Sequence, residues 1–457
     1  DFFNLYITEA ILQDMVRYTN LYAEQYLASN PLPGFSRAQA WYPININEIK
    51  RFLALTLAMG LVERNSLASY WDTNTVLSIP LFSAVMPRNR YQILLRFLHF
   101  NDNTMAVAPN EPGYDRLYKL SLSQRFTEVY TPSQNVCVDE SLLLFKGRLK
   151  FRQYIPSKRS RYGMKFYKLC ESSTGYTRYF MLYEGKDTNL DPLGCPTELT
   201  NGKIVWELIT PLLGRGYHLY VDNFYTSIPL FRALNSLDTP ACGTVNCNRK
   251  GLPKELLDKK LKRGEVHTLR SNELLAIKYS DTKVVFMLTT IHDETMIVQH
   301  RSGGRPSKTK PLCSKEYSKH MGGVDKSDQI QHYYNATRKT RAWYKKAAIY
   351  MIQMALYNSY VVYKAAVPGP RLSYYNYLLQ LLPALLFGDV EEVPDMPGND
   401  NVARMVAQIP PTPNKRYAQR KCKVCRSKGV RRDVRYYCPK CPSKPALCFH
   451  PCFEVYH

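Results

Sequence analysis

No apolar run in this 457-residue chain is long enough to cross a bilayer. The strongly apolar stretch 52–62 falls well short of the ~20 residues that a spanning helix needs. Residues 347–367 form a longer stretch but carry Gln353, Asn358 and Lys364, and read as a buried helix. No secretory signal is visible, so no membrane partner is expected; the chain begins at Asp1 without a methionine, and its start is expected to be trimmed. No internal repeat appears, which sets aside repeat architectures. Acidic residues are scarce, 38 against 62 basic ones, and the formal charge is +24. That excess of positive charge points to a polyanionic partner, because neutralised phosphates release counterions; a merely soluble basic protein is the alternative. Outside residues 422–452 the cysteines are scattered singly, which excludes a secreted disulfide scaffold and implies a reducing compartment.

What is present is globular. Hydrophobic residues make up 45% of the chain, and the length exceeds what one core serves, so two to four domains are expected. Residues 1–133 have a helical texture, with apolar positions at helical spacing over 46–59 and 88–98. From residue 134 the texture turns to strands at 135–145, 162–170 and 176–183, with a turn at 172–175. A helix is expected over 197–213, a strand at 217–221, a helix at 226–237 and a strand at 241–245. Residues 246–312 interrupt this order with basic, Gly-rich loops around a strand-like 284–290. Helical texture returns at Val324 and runs past Trp343 to Tyr363. Residues 390–420, with prolines at 394, 397, 410, 411 and 413, read as a linker, and a cysteine-rich module closes the chain.

Three acidic motifs stand out by their setting. Asp139 and Glu140 follow Val136-Cys137-Val138 inside an apolar strand, where an ionised carboxylate is costly unless paired or bound to a metal. Asp222 ends the strand Leu219-Tyr220-Val221, with Thr226 and Ser227 as helix caps. Asp325 and Asp328 are three apart and share one helical face. Any one of these acids alone reads better as a cap or an ion-paired residue. Together, on strand one, after strand four and on a later helix, they fit a two-metal site in an RNase H-like fold, with hard oxygen ligands for Mg²⁺ or Mn²⁺. Directly after the first acidic strand come Lys146, Arg148, Lys150, Arg152, Lys158, Arg159, Arg161 and Lys165 without an acid, interleaved with Phe151, Tyr154 and Tyr162. They read as a phosphate-binding surface or as a solvated loop; Arg341 is a further candidate DNA contact.

In the last module Cys422 and Cys425 are followed by Cys438 and Cys441, then Cys448, His450, Cys452 and His457. Thiolates two residues apart suit tetrahedral Zn²⁺, and eight ligands would fill two sites, with an interleaved cross-brace as the expected connectivity. One zinc with the other cysteines free, or a disulfide cluster, are the alternatives. His450 is the weakest ligand candidate. The module is basic, with Asp433 its one acid over residues 415–435, and is expected to touch DNA.

The run Asp139-Glu140, Lys146-Gly147-Arg148, Tyr154-Ile155-Pro156 and Tyr162-Gly163-Met164-Lys165 resembles the first catalytic block of piggyBac transposases. Residues Asp222-Asn223-Phe224-Tyr225-Thr226-Ser227 resemble their second block, and Gly322-Gly323-Val324-Asp325 with Asp328-Gln329 their third. The ending, with Cys448, Cys452-Phe453-Glu454 and Tyr456-His457, is similar to their cysteine-rich domain. The resemblance implies an α/β protein with an RNase H-like catalytic core at 134–245 and 313–334. An insertion domain would lie at 246–312, a helical dimerisation and DNA-binding domain at 1–133 and 335–389, a linker at 390–420 and a zinc-binding domain at 421–457. It implies a triad of Asp139, Asp222 and Asp325 with Asp328 as a fourth acid. It also implies a homodimer acting on double-stranded transposon ends in the nucleus, excision through hairpin ends, and insertion at TTAA. Two rivals remain: a domesticated DNA-binding protein without strand transfer, and a nuclease on the same fold.

Overall fold

The computed structural model describes residues 2–31, 34, 36–74, 76–105, 107, 124–156, 161–185, 190, 192, 194–196, 200–299, 307–387, 407–410, 418–438, 441, 443–448 and 452–456. They belong to two compact units, residues 1–390 and 391–457.

The first unit opens with helices α1 (Glu9–Ser29), α2 (Ile46–Ala58) and α3 (Arg88–Phe97). Asn45 caps α2, its Oδ1 accepting the Glu48 N–H at 2.9 Å. Glu48 in turn holds the buried Arg90 of α3 through two bonds of 2.5 and 2.7 Å. Such a fork binds carboxylate bidentately and fixes the angle between the helices.

The strands follow as β1 (Asn135–Leu144), β2 (Tyr162–Glu171) and β3 (Thr177–Leu182). After helix α4 (Thr200–Ile209) comes β4 (His218–Val221), and after helix α5 (Ile228–Ser236) comes β5 (Ala241–Thr244). β1, β2 and β3 pair antiparallel, and β4 and β5 join β1 in parallel. The spatial order β3-β2-β1-β4-β5 is that of an RNase H-like core. Val136, Cys137 and Val138 are all buried, as expected of a central strand covered on both faces. Val136, Val138, Leu219 and Val221 pack with Leu208 of α4 and Phe231 of α5 on one face. Cys137, Tyr220 and Cys242 occupy the other face.

Residues 246–312 contribute more than the single strand expected of them. Strands β6 (Val266–Ser271), β7 (Leu274–Ser280) and β8 (Val284–Thr289) form an antiparallel meander, and β8 pairs with β5. They therefore prolong the core sheet. β9 (Met296–Gln299) and β10 (Lys308–Pro311) make a separate ribbon.

Helix returns earlier than Val324. A helix α6 (Leu312–His320) precedes α7 (Gly323–Tyr333), and residues 334–342 break the chain before α8 (Trp343–Ala366). The last helix, α9 (Tyr374–Phe387), packs on α2. The helices before and after the strands thus share one apolar core, from Phe52 and Leu53 to Leu381 and Leu385. No helix among the described residues is long and apolar enough to cross a membrane.

Candidate active site and zinc module

Register brings the first two acids together. Val138 of β1 lies abreast of Val221 of β4. The next residues, Asp139 in the middle of β1 and Asp222 just past the end of β4, therefore sit side by side, roughly 4.8 Å apart by strand spacing. Side chains alternate along a strand, so Asp139 shares the face of Cys137, and Asp222 that of Tyr220. Asp222 is clamped in a turn: its Oδ1 accepts the Phe224 N–H at 3.0 Å, and its carbonyl accepts the Thr226 hydroxyl at 2.8 Å. Burial raises the Asp222 carboxyl above the usual range, the Phe224 N–H opposing it and the nearby Glu140 carboxylate adding to it. Thr226 and Ser227 do not cap as expected. Ser227 occupies the N-cap position of α5 without a side-chain cap bond, and its hydroxyl is buried without a partner.

Helix α7 lies against β1 and β2 on the face of Cys137. Gly323 makes this approach feasible. A Cβ there would lie 2.7 Å from both Cys137 Sγ and the Glu171 carbonyl oxygen. The Val324 and Gly323 N–H groups point at the Cys137 sulfur, whose thiol burial pushes up to about 12. The start of α7 is thereby fixed two residues from Asp139, with Asp325 exposed in its first turn. We expect Gly323→Ala to lower stability by about 1–3 kcal/mol, the range for overpacking. It should also displace Asp325, so that cleavage falls more than stability does; thermal melting and a cleavage assay on the same preparation read both.

Asp328 faces a different partner. Its Oδ1 accepts from Lys168 Nζ at 2.8 Å and from Ser141 Oγ at 2.7 Å, and Tyr350 OH lies at 3.4 Å. Lys168 is fully buried and stands opposite Asp139 in the β1–β2 register. Burial works against the Lys168 charge, and the Asp328 carboxylate together with Tyr350 and Cys170 outweighs it, holding the ammonium above its usual range. In this arrangement Asp328 anchors α7 to the sheet. Lys168 carries a signal that the sequence reading passed over, a lysine embedded in Phe166-Tyr167-Lys168-Leu169-Cys170.

Among the basic candidates, Lys165 Nζ lies 3.9 Å from Glu140 and over the rings of Tyr167 and Phe224, which places it beside Asp222. Lys146, Arg148, Lys150, Arg152, Arg161 and Arg341 are exposed. Arg152 donates to the carbonyls of Lys146 and Gly147 and covers the Tyr162 ring. Lys158 and Arg159 lie outside the described residues.

In the second unit Cys422, Cys425, Cys448 and Cys452 converge. Among the described residues they are the one group of three or more His, Cys, Asp or Glu side chains whose ligand atoms all lie within 4.8 Å of one another. The acids are not gathered so tightly. Cys425 Sγ stands 3.5 Å from Cys452 Sγ and 3.6 Å from Cys448 Sγ, close to the roughly 3.8 Å edge of a tetrahedron with 2.3 Å Zn–S bonds. Burial opposes the Cys422 thiolate, but N–H groups of Cys425 and Cys448 bring it down to about 7. Soft sulfur donors at this spacing fit Zn²⁺. The first cysteine pair passes over Cys438 and Cys441 to join Cys448 and Cys452. Cys438 is buried and Cys441 partly so; His450 and His457 lie outside the described residues.

A family model described as Transposase IS4 matches residues 1–360, and one described as DDE_Tnp_1-like zinc finger matches residues 412–457. Fold, family match and cysteines therefore define a transposase-type core followed by a transposase-type zinc-finger domain. Human PiggyBac transposable element-derived protein 3 is 25% identical over 377 residues, covering 79% of this chain and 60% of its own length. Human PiggyBac transposable element-derived protein 2 is 25% identical over 384 residues, covering 79% and 61%. The cryo-EM structure of the piggyBac transposase synaptic complex with hairpin DNA is 25% identical, with a TM-score of 0.74, over 98% of this chain and 94% of that one. The chain belongs to the piggyBac family of transposases and transposable element-derived proteins. It spans about 60% of the length of the two human relatives.

Proposed function

We propose that this chain is a cut-and-paste DNA transposase. The observation that carries the reading is the placement of Asp139 and Asp222 abreast on parallel strands, with the helix of Asp325 docked on the same sheet face. Three carboxylates from separate elements are hard ligands suited to Mg²⁺ or Mn²⁺. Bound there, two such ions would activate the attacking oxygen and stabilise the leaving one. The chain's own part is to fix the carboxylates and hold the DNA. The Asp222 turn and the Gly323 contact do the first. For the second, Lys165 stands beside the acids, and Lys146, Arg148, Lys150, Arg152, Arg161 and Arg341 supply exposed charge for transposon ends and a TTAA target. Two ends must be held together, so the active form is a homodimer, working in the nucleus. The zinc module binds two ions, the second held by Cys438, Cys441, His450 and His457, and recognises end DNA. The solved relative named for its hairpin DNA supports excision through hairpin ends.

The test is product analysis. Purified protein, Mg²⁺ and cognate end DNA should yield a 3′ hydroxyl at the transposon end, then hairpin-capped ends, then strands joined at TTAA. Cleavage without joined products would make it a nuclease. End binding with no cleavage would make it a DNA-binding protein that has kept the fold.

A further inference from the structure

A hydroxyl pair shares the row of the first two acids. β1, β4 and β5 run parallel in register, with Val138, Val221 and Gly243 abreast. The next residue on each strand is Asp139, Asp222 and Thr244. Gly243 keeps the third strand close to the second, since a Cβ there would lie 2.6 Å from the Val221 carbonyl oxygen. Cys242 faces the side of α6 and α7, so Thr244, two residues on, projects to the face that Asp139 and Asp222 share.

Tyr317 of α6 stands over this row. Its hydroxyl lies 3.4 Å from Thr244 Oγ1, and α6 packs on both β1 and β5. The phenol is partly buried in the cluster formed by Cys137, Tyr220, Cys242 and Val324. Burial pushes its pKa up to about 12, with Thr244 opposing and the Asp222 and Asp139 carboxylates adding. It therefore keeps its proton at neutral pH, and toward an anion it can only donate. Divalent ions held by the carboxylates beside it would take further oxygen ligands, and in phosphoryl transfer the phosphate being cut brings such oxygens to the site.

We propose that Tyr317 is a further residue of the cleavage site. Its phenol, steadied by Thr244, donates a hydrogen bond to a non-bridging oxygen of the phosphate being cut. This rests on the transposase reading above.

The experiment uses the full chain with Tyr317→Phe and Thr244→Val. In single-turnover cleavage with Mg²⁺, Tyr317→Phe should slow cutting by roughly 10–100-fold, at or below the lower bound of what one fully oriented donor supplies. Thr244→Val should show a smaller loss in the same direction. A second arm measures affinity, with Ca²⁺ as the ion, for end DNA carrying either phosphate or methylphosphonate at the scissile position. Wild type should lose affinity on the methylphosphonate, and Tyr317→Phe should lose little more, because the acceptor is already gone. Additive losses, or cleavage by Tyr317→Phe at the wild-type rate, would overturn the proposal. If wild type binds ends but cuts none, the enzyme reading falls, and the affinity arm still decides whether Tyr317 touches that phosphate.

Discussion

Replacing Asp139, Asp222 or Asp325 by asparagine is expected to cut strand cleavage by roughly 10³-fold or more, at the upper end of the loss when a single group stabilising transition-state charge is removed. The fold should survive in all three. Asparagine keeps the shape of the Asp222 turn, and its carbonyl can still accept the Phe224 N–H seen at 3.0 Å. Asp222 has a further signature. A carboxyl raised in the fold contributes stability at low pH, and that contribution is lost as pH rises through the folded value. At neutral pH its charge thus weighs against folding, and Asp222→Asn should melt at or above the wild-type temperature. For the same reason a proton competes with the metal at Asp222 up to a higher pH than at an ordinary carboxylate. At sub-saturating metal the acid limb of the cleavage profile should therefore lie above that of an ordinary carboxylate ligand, and it should move down as the metal concentration is raised. Rates across pH, with melting curves of the three variants, check both statements. A folded variant that cleaves near the wild-type rate would remove its residue from the triad.

The second large effect is expected from the cysteines. Cys448→Ser should abolish zinc at its own site and collapse the local fold of the module, leaving residues 1–390 folded. The cluster around these thiolates contains Val424 and Leu447 but few other apolar side chains, so metal must supply most of the folding energy. Structural zinc is worth about 10–16 kcal/mol in finger peptides near neutral pH. Metal analysis of the full chain should give two zinc per chain for wild type and one or none for Cys448→Ser. Cys438→Ser should retain the Cys422 site. End-DNA affinity should fall with the module, since its basic residues go with it. One zinc in wild type would leave Cys438 and Cys441 without a metal role; none would overturn the zinc assignment.

The strands and helices that carry the acids were legible because their signals are local. An acid set inside the apolar strand after Val136-Cys137-Val138, or closing the strand Leu219-Tyr220-Val221, is such a signal, and the order of elements fixes the sheet. The cysteine spacing named the metal. Partner choice was not legible. Asp328 sits three residues after Asp325, and helical periodicity alone puts both on one face. The buried Lys168, 160 residues away in sequence, claims Asp328 through tertiary packing. Likewise β6 and β7 were missed because loop-like residues around Arg263-Gly264 hid them, while the edge of β5 gave their meander a sheet to join. The capping reading of Ser227 failed because Asp222 already holds Thr226, leaving the serine hydroxyl turned into the interior.

The packing of α2 on α9 also governs how this protein is born. Arg51 donates to the Leu386 carbonyl across 335 positions of sequence, and Phe52 and Leu53 lie in the same apolar core as Leu381 and Leu385. During synthesis the first helices leave the ribosome long before their partner exists. At about 5–20 residues per second, their oily faces wait roughly 15–70 s, through the making of the whole sheet. The nascent chain should therefore be a chaperone client until α9 emerges, and a message truncated before residue 374 should yield aggregates even though every acid is already present.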